Sequence, residues 1–295
     1  MSNRKTEKLH DDAPGLDARP AIEAAALLAE GQIAAAGALR SALQAIADGA
    51  AAMAKTISGG GTLHYVAAGS SGLMAAADAQ ELGGTYSIPA AQLRIHMAGG
   101  LPTGVEMPGD TEDATDGLQT ALADAGARDT IIAVSASGST PYTMAGVDIA
   151  KAKGATIIGI ANNAGTPLLM AADHPIFLDT PPELISGSTR MGAGTAQKIA
   201  LNMLSTLMAI ELGHVHDGMM VNLRADNIKL RQRASGIVGR IAGVASDQAD
   251  AALDAAEGEV KPAILVARGR IPVSDARSIL RDTGGKLRAA LAQLT

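Results

Sequence analysis

Apolar residues recur along the chain with two different periods, and the change of period sets out its elements. From Ala21 to about Ile57, the residues Ile22, Leu27, Leu28, Ile33, Leu39, Leu43, Ile46 and Met53 return at helical spacing among alanines. This predicts two helices with a break near Gly31 or Gly37. Ser58-Gly59-Gly60-Gly61 ends that region. Five short apolar or β-branched runs follow, at 62–68, 92–97, 130–134, 156–160 and 175–178, and read as strands. Helical stretches near 71–80, 113–125, 141–153 and 165–172 separate them. Strand and helix in alternation is the signature of βαβ units, so the expected architecture is α/β: a parallel sheet of about five strands with helices on both faces.

Beyond the sheet, 194–213 reads as one long apolar helix and 222–241 as a more charged one. Ala-rich patterns at 247–257, 260–268 and 274–280 predict a small three-helix unit. The expected organisation is a polar arm over 1–20, a main α/β domain over 21–240 and a small helical C-terminal domain over 241–295. At 295 residues the chain can bury a sizeable core. Its only aromatics are Tyr65, Tyr86, Tyr142 and Phe177, so that core depends on small side chains and close backbone approach.

Charge and composition narrow the function classes. A net charge of −6 argues against a general nucleic-acid binder, which displays a basic patch, but leaves a small anionic substrate open. Without cysteine there are no disulfides, no thiolate catalysis and no cysteine-based zinc site. No charge-free run of membrane-spanning length stands out, and the polar start lacks the apolar segment of a signal peptide. Cytoplasmic residence and no membrane partner are the expectations.

Two glycine-rich segments directly follow strands. Ala68-Gly69-Ser70-Ser71-Gly72 precedes a helix expected to start at Leu73, and Ser135-Ala136-Ser137-Gly138-Ser139-Thr140-Pro141 precedes another. In an open α/β sheet ligands sit beyond the carboxyl ends of the strands, where helix N-termini present unpaired N–H groups. Ser70, Ser71, Ser135, Ser137 and Thr140 are therefore candidate phosphate holders. A serine-capped turn explains the first loop alone equally well, but the hydroxyls of the second exceed what one cap needs. Neither loop carries the third glycine of a dinucleotide fingerprint or the Gly-Lys-Ser/Thr ending of a P-loop. A third loop, 184–194, places Ser186 and Arg190 before the long helix. Arg190 there could pair with a phosphate or with the acidic groups around Pro181-Pro182-Glu183.

Candidate acid/base groups are carboxylates. Glu81 lies at the end of the first helix after the first loop, and Glu112 lies at an expected helix start that Asp110 or Thr111 could cap. Glu106 and Asp113 compete with Glu112, and spacing does not choose among them. His214-Val215-His216 lacks metal-ligand spacing, so no metal is expected, and His10 is an arm residue.

In its order of motifs the chain resembles the N-acetylmuramic acid 6-phosphate etherases of the sugar isomerase (SIS) domain superfamily, from Thr6-Glu7 to about Arg233 and more weakly beyond. Ser186-Gly187-Ser188-Thr189-Arg190-Met191-Gly192-Ala193-Gly194-Thr195-Ala196-Gln197-Lys198, followed by Leu201-Asn202-Met203-Leu204-Ser205-Thr206, carries the likeness most strongly. Pro181-Pro182-Glu183-Leu184, Asp78-Ala79-Gln80-Glu81 and Ser135-Ala136-Ser137-Gly138 match too. The resemblance implies a three-layer α/β/α sandwich around a five-stranded parallel sheet, with a small C-terminal helical domain. It implies a cofactor-independent lyase that cleaves the D-lactyl ether of N-acetylmuramic acid 6-phosphate, and a homodimer with its active site near the interface. Glu81 is implied as the acid that protonates the departing C3 oxygen and Glu112 as the base at C2, since Glu112 falls twelve residues after Gly100. Glu183, Ser186 and Lys198 are implied to join the serine loops around the phosphorylated amino sugar.

The chain departs from the family at Leu73 and Ser139, where arginines are the rule, and at Leu82-Gly83-Gly84-Thr85-Tyr86 in place of Cys-Pro-Pro-Thr-Phe. Those replacements bear on which C3 substituent fits. A phosphosugar isomerase or dehydratase on the same scaffold, or a non-catalytic phosphosugar sensor, remains an alternative at this point.

Overall fold

The computed structural model describes residues 4–107, 111–223, 225 and 227–294. Asp110, one of the two expected caps beside Glu112, lies outside them, as do positions 224 and 226 of the expected 222–241 helix. The chain divides into two compact units, one of residues 1–80 with 91–205 and one of 81–90 with 206–295.

The first unit opens with α1 (Ala21–Gly37) and α2 (Leu43–Ser58), joined by a single 3₁₀ turn at Ala38–Ser41, so the break falls at the second of the two glycines considered. Strands β1 (Leu63–Ala67), β2 (Leu93–Met97), β3 (Thr130–Val134), β4 (Thr156–Ala161) and β5 (His174–Phe177) form one sheet in the order β2-β1-β3-β4-β5. All four pairings are parallel, with Tyr65 opposite Ile95 and Ile132, and Ile132 opposite Ile158. Every residue of β1 and β3 is buried, as expected of strands covered on both faces, whereas the edge strands β2 and β5 are only partly covered.

Between the strands lie α3 (Gly69–Tyr86), α4 (Leu118–Ala121), α5 (Pro141–Ala152) and α6 (Pro167–Ala171), and α7 (Gly192–Glu211) follows β5. On one face, Leu118, Leu122, Tyr142, Val147 and Leu168 of the α4, α5 and α6 regions pack on Val66, Ile131 and Ile157. The opposite face is tied together by a polar node. Tyr65 Oη donates to Asp78 Oδ2 at 3.1 Å, while Asn202 Nδ2 and Ser205 Oγ each donate to Asp78 Oδ1 at 2.9 Å. That node joins β1 to the first half of α3 and to α7, and completes the three-layer α/β/α arrangement. Burial, reinforced by the Asp78 carboxylate, pushes the Tyr65 phenol well above its ordinary range and keeps it a donor.

Two elements differ from expectation near the strand ends. Helix α3 begins at Gly69 instead of Leu73, so Ser70 and Ser71 lie inside its first turn. The helix expected over 113–125 shrinks to α4, because Gly117 adopts a left-handed φ of 83° and residues 112–113 and 116–117 form turns.

The second unit contains the short hairpin β6 (Val215–His216) and β7 (Met219–Met220), then α8 (Ile228–Ala242), α9 (Ser246–Ala255), α10 (Val260–Gly269), α11 (Val273–Asp282) and α12 (Leu287–Ala292). The expected three-helix unit is in fact five helices around one core, with Val238, Leu253, Ile264, Leu265 and Leu287 at its centre. Helix α8 shares that core, and the six-residue α12 is too short for its periodicity to register in the sequence.

Candidate active site

The sheet order places a topological switch point between β1 and β3: the chain leaves β1 toward β2 on one side and returns to β3 on the other. Ligands of open α/β sheets bind in the crevice outside such a point. The two serine-rich segments named from the sequence flank it.

The segment after β1 carries its contribution in the backbone. Gly69 sits at φ +54°, a conformation that a residue with a Cβ adopts only with strain, and it opens α3 directly at the strand end. The first-turn N–H groups of α3, with the half-buried Ser70 and Ser71 side chains, thus face the region beyond the sheet where an anion is favoured.

The segment after β3 works through side chains. Ser135 Oγ lies 2.8 Å from Thr140 Oγ1 and 3.2 Å from Ser137 Oγ, and accepts the Gly138 N–H at 3.1 Å. Ser137 Oγ is 3.4 Å from Thr140 Oγ1 and accepts the Ser139 N–H at 3.3 Å. Ser135 is 2% exposed and shapes the loop from inside; Ser137 and Thr140 are the half-buried hydroxyls at its surface. Gly138, at φ +68°, packs so tightly on the Thr166 side chain that a Cβ would collide with it.

Glu112 joins the two segments. A Cβ at Gly69 would lie 2.5 Å from Glu112 Oε1, so the carboxylate rests on the glycine that begins α3. The Glu112 carbonyl accepts the Tyr142 N–H at 3.0 Å in the first turn of α5. One residue therefore touches the start of the helix after β1 and the start of the helix after β3. Its side chain is exposed, as is that of Glu106. Glu81 is also exposed; it lies on α3, eleven residues beyond Ser70, and belongs to the second unit.

The remaining residues named from the sequence have other surroundings. Glu183 is 5% exposed, and its two carboxylate oxygens accept the N–H groups of Gly192 and Ala193 at 2.9 and 2.8 Å, which anchors the start of α7. Ser186 is exposed and donates to the Glu7 carbonyl at 3.2 Å. Lys198 and Arg190 are exposed, Lys198 on α7. His10 accepts the Asp12 N–H at 3.1 Å. His216 lies in β6 and His214 just before it, and burial lowers His214 to a pKa of about 4. Among the described residues no group of three His, Asp or Glu side chains is placed to hold a metal ion.

The N-terminal arm, of which sequence reasoning singled out only His10, lies against the β3 segment. A cavity of about 510 Å³ opens beside the β3 segment, lined among others by Arg4, Lys5, Ser137, Ser139, Asn163 and Thr166. Arg4 Nη2 donates to Ser139 Oγ at 2.6 Å. Thr6, 2% exposed, is clasped by Asn163, whose Oδ1 accepts the Thr6 N–H and whose Nδ2 donates to Thr6 Oγ1 at 3.0 Å. The signal available was Asn162-Asn163 standing directly after β4, a third polar pair at a strand end; a buried partner from the arm is not encoded in any local pattern.

The SIS domain family matches residues 105–212. Over 293 residues, covering 98% of this chain and 96% of the relative, the chain is 40% identical to the N-acetylmuramic acid 6-phosphate etherase of Deinococcus radiodurans. It is 39% identical over 289 residues to the enzyme of the same name from Streptomyces avermitilis, covering 97% of this chain and 93% of that one. Among solved structures, the c3406 protein of Escherichia coli CFT073 superposes with a TM-score of 0.50 at 14% identity, over 68% of this chain and 97% of that chain, a likeness of fold alone.

Proposed function

This chain belongs to the N-acetylmuramic acid 6-phosphate etherase family, within the SIS-domain proteins, and from that membership we propose how its residues divide the work of the reaction. The chain is a cofactor-independent carbon–oxygen lyase that converts N-acetylmuramic acid 6-phosphate and water to N-acetylglucosamine 6-phosphate and D-lactate. In our reading the phosphate sits on Ser137 and Thr140 and on the first turn of α3 with Ser70 and Ser71. Ser135 holds that loop in shape, Glu183 fixes the start of α7, and Ser186 and Lys198 border the sugar.

With the phosphate anchored, Glu112 removes the proton from C2 of the ring-opened sugar, which the neighbouring aldehyde acidifies. Glu81 protonates the C3 ether oxygen as it departs, and water then adds to the unsaturated intermediate at C3. The two carboxyls need opposite protonation states, one ionised to accept a proton and one protonated to give it. Anchoring the phosphate turns binding energy remote from the reaction into orientation at C2 and C3.

The observation that carries this reading is the position of Glu112, whose carboxylate rests on Gly69 and whose carbonyl is bonded to Tyr142, at the switch point between the two hydroxyl-bearing segments. As part of the same proposal the enzyme acts in the cytoplasm as a homodimer. Helix α1 with the 3₁₀ turn after it supports that assembly: the stretch 21–41 is apolar and long enough to cross a membrane by length and composition, yet only 11% of its apolar 18-residue window is buried. Ile22 and Ile33 are 77% and 63% exposed. Its alanines and glycines suit close packing against a second copy, and the proposal assigns the surface to that copy.

Product analysis in ¹⁸O-labelled water tests the reading, comparing the parent with Glu81→Gln and Glu112→Gln. The expected result is unlabelled lactate, label at C3 of the sugar, and severe loss of turnover in both variants. Labelled lactate would place the cleavage on the lactyl side of the ether bond, and sugar conversion without lactate would point to an isomerase or dehydratase.

A further inference from the structure

The hydroxyl cluster supplies hydrogen bonds but no charge, whereas a phosphate monoester carries close to two negative charges near neutral pH. In a chain of net charge −6, a countercharge has to be placed locally. Two cations line the cavity beside the cluster, both from the N-terminal arm. Lys5 is committed to Asp179, its Nζ 2.7 Å from Oδ1. Arg4 has the cluster among its partners, through Ser139 Oγ.

Resting on the phosphosugar reading above, we propose that Arg4 is the phosphate-binding cation of this site, delivered by the N-terminal arm to the loop after β3. Terminal segments are poorly ordered unless tied down. Here the tie is explicit: Thr6, two residues on, is buried and held twice by Asn163, and the Glu7 carbonyl is held by Ser186. Those anchors fix the origin of the Arg4 side chain beside Ser137 and Ser139. A guanidinium presents five N–H donors in a planar fork, so contact with Ser139 is compatible with a bidentate grip on a phosphate.

The test is calorimetric titration with N-acetylglucosamine 6-phosphate and with unphosphorylated N-acetylglucosamine, alongside kcat and KM. Arg4→Gln is expected to weaken the phosphorylated sugar by about 10- to 100-fold, the range for a charge-assisted hydrogen bond. The unphosphorylated sugar should bind as it does to the parent, and kcat should stay within a few-fold. Arg4→Lys should recover part of the loss. Ser139→Arg added to Arg4→Gln should recover more, because position 139 is where the Arg4 guanidinium ends. Deleting residues 1–5 should reproduce the Arg4→Gln defect, which guards against misfolding of one variant. An Arg4→Gln protein that binds the phosphorylated sugar within twofold of the parent overturns the proposal, as does an equal loss for both sugars, which would mark the arm as a cover. Because binding is read without turnover, the two readings fail separately: a parent that binds the phosphosugar but releases no lactate sinks the etherase reading and leaves Arg4 in place.

Discussion

The segments after β1 and β3 occupy equivalent places at one switch point and are both rich in glycine and serine, yet they are built for different tasks. After β1 the chain turns through Gly69 straight into α3, leaving backbone N–H groups and a surface flat enough for the Glu112 carboxylate to lie on. After β3 the chain spends six residues on a loop knitted by its own hydroxyls before α5 begins at Pro141. In the proposed mechanism the first segment positions the reactive Glu112 besides lending its helix start to the phosphate, and the second serves the phosphate alone. Loss of turnover and loss of affinity should therefore separate according to which segment is altered.

The largest effect should come from the group that the first segment positions. Glu112→Gln keeps the side-chain shape and removes the proposed base, so kcat should fall by about 10²- to 10⁴-fold. The affinity for N-acetylglucosamine 6-phosphate should stay within a few-fold of the parent, since the phosphate holders are untouched. Titration of the product against both proteins, set beside initial rates, reads the two quantities separately. An equal collapse of affinity would show that Glu112 builds the cradle instead of using it.

Next in size is Gly69→Ala. The new Cβ would meet Glu112 Oε1 at 2.5 Å on a backbone at φ +54°, so the carboxylate has to move. A displacement of about 1 Å at a reacting group costs on the order of 100-fold in rate. The expected outcome is a kcat loss of that order with KM within threefold. Gly138→Ala, on the other segment, sharpens the contrast, because its Cβ would strike Thr166 at the start of α6, and there KM should rise more than kcat falls.

Much of this arrangement is legible in the sequence. The strands β3 and β4 are runs of Thr, Ile, Ala and Val, with one Gly in β4, whose β-branched side chains state their conformation, and strand-then-serine-loop marks the strand ends at which the ligand is proposed to sit. Short helices are harder to read. Residues 111–117 carry the Thr-Asp-Gly composition of a turn, but acidic residues ahead of Leu118 and Leu122 imitate a helix start. The structural tie that overrides the pattern, Tyr142 holding the Glu112 carbonyl, joins residues thirty apart. Arg4 is illegible for the same reason, since only the fold brings the arm to Asn163 and Ser139. Glu183 stands in a motif of the resemblance, but that motif does not reveal that both its oxygens serve the backbone of α7.

A smaller effect is expected at the second segment. Ser137→Ala or Thr140→Ala removes one neutral hydroxyl from the cradle, and a neutral hydrogen bond is worth about 0.5–1.5 kcal/mol. KM should rise by roughly threefold to tenfold in each variant, with kcat nearly unchanged. Inhibition by inorganic phosphate should weaken by the same factor. Ser135→Ala should behave differently, because Ser135 is buried and bonds Ser137, Gly138 and Thr140 at once. Its removal should lower the melting temperature as well as raise KM.

The smallest effect, absent at neutral pH, concerns what supports each segment. The β3 segment springs from a strand buried between β1 and β4, but the β1 segment leans on the edge strand β2, whose Met97 packs against Gly72. Beside Met97, His96 Nε2 lies 3.0 Å from His64 Nδ1 and the two rings stack. Burial, with the neighbouring His64 and Arg94, lowers His96 from 6.5 to about 4; burial also lowers His64, partly offset by Asp129. Because the folded pKa lies below the unfolded one, the unfolded chain binds more protons between them. The stability linked to this pair is therefore complete above pH about 6.5 and is lost progressively as pH falls toward about 4. Amide hydrogen exchange between neutral pH and pH about 5 should show β2 and the start of α3 losing protection before β3 and β4 do, after correction for intrinsic rates. His96→Gln should flatten that difference. If β3 loses protection together with β2, the two segments share one support, and the separation of their roles has to come from the loops alone.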